Sequence, residues 1–147
     1  MTLDEAKEEL KRADHLVYVT LKYTRTCDVI KNSIHRLIRA IEFAADEALE
    51  HARKKKKIKV VSKIAKIKVE SLKSIYKNKV KEYIELYTLL NQIYKSDYNK
   101  REEYRKNVTL ISILKPEEFY EVNMEKLKEF FYKTKDFVNL IEDLVKK

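Results

Sequence analysis

Apolar residues recur at steps of three and four along nearly the whole chain, the period that keeps side chains on one face of an α-helix. The first such face is Leu3, Ala6, Leu10, Ala13, Val17, Leu21 and Thr24. Thr2-Leu3-Asp4-Glu5 before it matches a capping box, in which the Thr2 hydroxyl and Glu5 carboxylate satisfy free amides reciprocally. Leu16 to Leu21 is rich in β-branched residues and reads as a strand in isolation, but the spacing on both sides predicts helix. A second face, Ile30, Ile34, Leu37, Ile41, Ala44 and Ala48, is widened by Ile38, Ala45, Leu49 and Ala52. That width predicts a central helix, with small residues near its end that let a neighbour approach closely.

The longest pattern is Ile58, Val61, Ala65, Val69, Leu72, Tyr76, Val80, Tyr83, Tyr87, Leu90 and Tyr94, with no glycine or proline to interrupt it. It predicts one continuous helix of about 55–60 Å, longer than a compact bundle of this size. Turn-forming residues at Ser96 to Asn99 predict a break, after which Asp97 or Asn99 caps a short helix through Tyr104. Val108 to Leu114 is a packed extended segment or the end of that short helix, bounded by Lys115-Pro116. A last helix capped near Asn123 carries Met124, Leu127, Phe130, Phe131, Phe137, Val138, Ile141, Leu144 and Val145. The expected fold class is all-α: one domain over residues 1–147, an antiparallel bundle of four to five helices with one unusually long helix at about residues 56–96.

Composition narrows the picture. With 147 residues the chain is long enough to bury about two-thirds of its unfolded surface without a metal or disulfide. No glycine and one proline disfavour phosphate-cradling glycine loops, tight hairpins and the folds built on them. A single cysteine, no signal-peptide pattern and no apolar run near 18 residues lead to the expectation of a cytoplasmic protein with no membrane span. The 39% charged content resembles the lysine- and glutamate-rich composition of thermophile proteins.

The excess charge has an address. Residues 1–52 carry 8 Lys and Arg against 10 Asp and Glu, residues 53–81 carry 13 against 1, and residues 82–147 carry 12 against 13. The nets of −2, +12 and −1 give the overall +9. A compositional bias would scatter lysines and pair them with glutamates, so a surplus confined to one segment needs its own cause. Arg53, Lys54, Lys55, Lys56 and Lys57 form a cationic corner, and Lys59, Lys63, Lys66, Lys73, Lys77 and Lys81 continue at helical spacing, interrupted only by Glu70. On a single helix they would make a cationic edge that follows a phosphate backbone without reading bases.

Other candidate chemistry is thin. His15, Tyr18, Lys22 and Arg25 are spaced three, four and three, which places an anion-binding row on the first helix; the alternative is a solvated face. His15, His35 and His51 have no HExxH or ExxH spacing and the chain no CxxC, so no metal or other cofactor is expected. Cys27 among apolar residues reads as a small core residue. Tyr76, Tyr83, Tyr87 and Tyr94 could stack bases, yet they fall on the apolar stripe and read first as core or dimer contacts.

Basic and polar residues on paired long helices give the chain a resemblance to the HEPN (higher eukaryotes and prokaryotes nucleotide-binding) helical domains, over at most the first three helices. The resemblance implies a helical dimer and a nucleic-acid context. It carries over no nuclease activity, because the family's Arg followed four to six residues later by His is missing: Arg12 precedes His15 by three, and the nearest Arg before His35 is Arg25. The expectation is a non-enzymatic helical-bundle protein and homodimer that binds DNA or RNA nonspecifically through its lysine edge. The alternatives are a homodimeric structural module that meets an acidic protein partner, and a HEPN-like protein with the anion row on its first helix.

Overall fold

The computed structural model describes residues 2–146. Helix α1 (Thr2–His15) continues through a π-helical turn (Leu16–Thr20) into α2 (Leu21–Tyr23), so the β-branched stretch is helical, though wound to the wider π period. The Thr2 hydroxyl donates to Glu47 Oε2 at 2.8 Å, which ties the start of α1 to the next helix rather than to Glu5. After a corner, α3 (Cys27–Lys54) starts at Thr26, whose hydroxyl accepts from the Val29 amide at 3.3 Å.

Helix α3 is the central element. Its Ile30, Ile34, Leu37, Ile41, Ala44 and Ala48 are all buried, and α1, α4, α5 and α6 all pack on it. Between α1 and α3 the carboxylate of Glu9 is itself buried, and accepts from Arg12 at 2.7 Å and Arg36 at 3.2 Å, the pairing that a buried charge requires.

The continuous helix expected over about residues 56–96 does not form. Helix α3 ends at Lys54 in a Schellman motif: the Lys57 amide donates to Ala52 O at 2.9 Å, the Lys56 amide to Arg53 O at 3.0 Å, and Lys56 is left-handed at φ 62°. An irregular segment follows, then α4 (Ala65–Tyr76), a 3-10 turn (Lys77–Lys79) and α5 (Lys81–Lys95). Lys55, Lys59 and Lys63 would repel one another at i,i+4 with no acid between them, and Ile58, Val60 and Val61 are poor helix formers. Folding back also buries the stripe. Tyr76 donates its hydroxyl to Ala48 O at 3.2 Å, in the small-residue part of α3, and Tyr83 packs on Phe137 with ring centroids 5.2 Å apart.

The all-α expectation is corrected too, because the mostly helical chain contains an antiparallel meander of β1 (Asp97–Arg101), β2 (Thr109–Lys115) and β3 (Glu118–Val122). Tyr98, Ser112 and Tyr120 stand side by side in its register. Asp97 and Asn99 therefore lie in a strand and cap no helix, whereas Val108 to Leu114 is the packed extended segment anticipated, with Thr109, Leu110 and Ser112 buried. Without glycine the hairpins place Glu102, Tyr104 and Glu117 at φ of 53°, 67° and 65°. Pro116 followed by left-handed Glu117 is the pattern of a type II turn.

Helix α6 (Met124–Val145) begins where expected, with Asn123 Oδ1 accepting from the Lys126 amide at 2.8 Å. Leu127, Phe130, Phe131, Phe137, Val138 and Ile141 join one continuous core, and an ion pair between Lys7 and Glu142 links the first helix to the last. No helix among the described residues is long and apolar enough to cross a membrane.

Candidate nucleic-acid interface

The break in the long helix redistributes its cations. Arg53 and Lys54 finish α3, Lys55, Lys56 and Lys57 form the turn, Lys59 and Lys63 lie on the irregular segment, Lys66 and Lys73 on α4, Lys77 in the 3-10 turn and Lys81 at the start of α5. All eleven are exposed. Arg53 Nε donates to Glu50 at 2.9 Å, which raises the Arg53 pKa and lowers that of Glu50, and Lys73 stands 4.0 Å from Glu70. Among the described residues the other nine have no carboxylate within 4.0 Å. Lys68, the one partly buried cation of α4, pairs instead with Asp46 at 2.7 Å.

The single straight edge is replaced by two groups. Lys54, Lys55, Lys56, Lys57 and Lys59 crowd one turn and its exit. Lys73, Lys77 and Lys81 come together around a groove of about 520 Å³ between α4 and α5, which also presents Asn78, Thr88 and Gln92 and contains one acid, Glu85. Cations and neutral hydrogen-bonding side chains on one concave surface suit a phosphate backbone.

The tyrosines of the former stripe do not reach these grooves as free faces. Tyr87 donates its hydroxyl to Glu42 at 2.8 Å, and burial together with that carboxylate pushes its pKa up to about 12. Tyr94 stacks on His35 at 5.0 Å. Beside Tyr83 and Tyr87 lies a smaller cleft of about 200 Å³, mostly apolar, with Lys63 and Lys68 at its rim.

On the first helix the π turn breaks the three-four-three row. His15 Nδ1 comes within 3.3 Å of the Thr20 hydroxyl, one π turn on. Tyr18 turns inward against Phe131, with Lys128 over its ring at 5.4 Å, and burial pushes its pKa up to about 12. Lys22 stays exposed. Arg25 alone enters a groove, beside Arg101, Lys106 and Lys128 from three other parts of the chain.

No family model, curated protein or solved structure matches this chain. Its own residues carry the functional argument.

Cys27 is buried, donates its thiol to Thr109 O at 3.3 Å and has its pKa raised by burial and by Glu103, the environment of an inert core thiol. No group of three metal-ligating side chains occurs among the described residues.

Proposed function

We propose that the protein binds nucleic acid without sequence preference, through the cationic turn at Lys54 to Lys59 and the lysine groove between α4 and α5. The observation that carries this reading is the absence, among the described residues, of carboxylate partners for ten of the twelve exposed cations in a segment of net charge +12. Lysines recruited for thermal stability are expected in ion-pair networks. Unpaired, exposed lysines are available to neutralise phosphates and release their counterions. No arginine or asparagine pair is set among them to read base edges, so affinity should depend on salt rather than sequence.

If about six contacts form, the log-log slope of affinity against salt is about −4 to −5 on single or double strands. Anisotropy titrations with DNA and RNA at several salt concentrations test this, comparing the wild type with a variant whose Lys54, Lys55, Lys56 and Lys57 are all glutamine. The variant should bind more weakly and with a shallower slope. Equal affinity of both proteins removes the reading.

A second reading, a homodimeric or protein-partner module, is favoured by Val60, Ile64 and Ile67, which are 75%, 60% and 47% exposed among the same lysines. Apolar side chains ringed by cations suit a second copy or an acidic partner.

A further inference from the structure

A groove of about 560 Å³ opens where the end of α2, the tip of the β1–β2 hairpin and the start of α6 meet. Arg25, Arg101, Lys106 and Lys128 line it against the acids Glu102 and Glu125. Arg101 is engaged by Glu121, but among the described residues Arg25, Lys106 and Lys128 have no carboxylate within 4.0 Å. The Nε of Arg25 is buried and, among the described residues, has no hydrogen-bond acceptor. Such a buried donor costs free energy until an acceptor meets it, and a guanidinium is best met by the paired oxygens of a phosphate or carboxylate.

The walls hold this arginine in place. Its carbonyl accepts from the Tyr104 amide at 2.6 Å, and two residues on, the Cys27 amide donates to Glu103 Oε2 at 2.9 Å. The hairpin tip is thereby fastened at Arg25 and just after it, with Glu102 and Tyr104 held left-handed. Strained backbone that tertiary contacts maintain is common at binding sites. The side chain amides of Asn107 and Asn123 add neutral donors to the lining. Tyr104, next to Arg25 through that backbone bond, is 76% exposed, and Tyr23, two residues before it, is 83% exposed. Neither ring lines the groove itself, but each belongs to a residue two positions from its lining, Tyr104 from Glu102 and Lys106 and Tyr23 from Arg25, and exposed aromatics at that reach are what a nucleobase attached to a phosphate would use.

We propose that this groove binds a nucleotide phosphomonoester, with Arg25 and Lys128 on the phosphate and Tyr104 against the base. The phosphomonoester belongs either to a free nucleotide or to the 5′-phosphorylated end of a single strand. The site is separate from the lysine segment: Arg25 precedes α3 and Lys54 ends it, which sets the two about 40 Å apart along the helix axis.

Amide NMR titration of the intact chain tests it, with inorganic phosphate, adenosine 5′-monophosphate, adenosine, and a short oligoadenylate with a 5′-phosphate or a 5′-hydroxyl. Adenosine monophosphate should shift the amides of Tyr104, Asn107, Asn123 and Met124 saturably, and adenosine should not. Arg25→Gln should weaken the nucleotide about tenfold or more, as loss of a charge-assisted bidentate contact does. Tyr104→Ala should weaken the nucleotide but not inorganic phosphate. A 5′-phosphorylated strand that outcompetes both the monophosphate and the 5′-hydroxyl strand assigns the site to strand ends, and the reverse order assigns it to free nucleotide. The variant with Lys54 to Lys57 all glutamine should bind the monophosphate like the wild type, so this site stands or falls apart from the lysine segment. If Arg25→Gln does not fold, Lys106→Gln combined with Lys128→Gln gives the same reading. Unchanged affinity in whichever variant folds, or shifts spread over the lysines of residues 54–66 instead of the groove, overturns the proposal.

Discussion

A left-handed backbone position usually falls to glycine, and this chain has none. Lys56, Lys77, Glu102, Tyr104 and Glu117 adopt positive φ with full side chains. Each Cβ at such a position meets its own backbone, at a cost of about 1–2 kcal/mol that glycine avoids. Lys56 is the simplest case, since its side chain is exposed and makes no ion pair among the described residues, while its amide closes the α3 Schellman motif. Lys56→Gly should therefore stabilise the protein by about 0.5–1 kcal/mol, once glycine's greater freedom in the unfolded chain is subtracted, and raise the melting midpoint by a few degrees. Lys56→Ala keeps the Cβ and should give no such gain in thermal unfolding. An equal gain from both would mean that relief of charge crowding, not of backbone strain, is responsible.

At the scale of elements, α3 and α6 were legible because each keeps one apolar face through an unbroken run, and α6 also by its cap at Asn123. The break between residues 55 and 64 was not, for a physical reason. Leu72 on α4 and Leu90 on α5 both face the α3 core, so the period of the apolar stripe survives in sequence although the chain has turned between them. The strands were hidden by the missing glycines, because Glu102, Tyr104 and Glu117 take the left-handed turn positions and only Pro116 marked one of the two turns. The lysine segment was legible from composition alone, whereas the Arg25 groove draws its cations from the end of α2, the hairpin tip and α6, distances no local pattern spans. The π turn that separates Arg25 from His15 leaves no mark on the spacing either. One consequence of this assembly is that α3 is capped from outside: the Cys27 amide is met by Glu103, 76 residues on. Glu103→Ala should cost about 1 kcal/mol and raise hydrogen exchange at the first turn of α3. Unchanged exchange at residues 27–30 would mean the contact carries no capping energy.

For the whole molecule, the outer stripe that sequence alone leaves uncovered is largely packed within the chain, with Leu90 buried and Tyr83, Tyr87 and Tyr94 against the core. A homodimer formed through this segment would therefore use Val60, Ile64 and Ile67 rather than Tyr83, Tyr87 and Tyr94. On that reading light scattering should give twice 17.7 kDa for the wild type and 17.7 kDa for Ile64→Lys, and a wild-type particle of 17.7 kDa removes it. The contact of α6 with both α1 and α3 has a different kind of consequence, one of timing. A chain is made from its N-terminus, so α1 and α3 leave the ribosome and pair while the helix that covers their remaining face is still untranslated. Phe130, Phe131, Phe137 and Ile141 arrive after both, and until they do the nascent protein presents the core side of α3 to whatever is nearby. The interval in which the core side of α3 stands open is thus set by how soon the α6 segment follows it out of the ribosome, not by the stability of the finished fold.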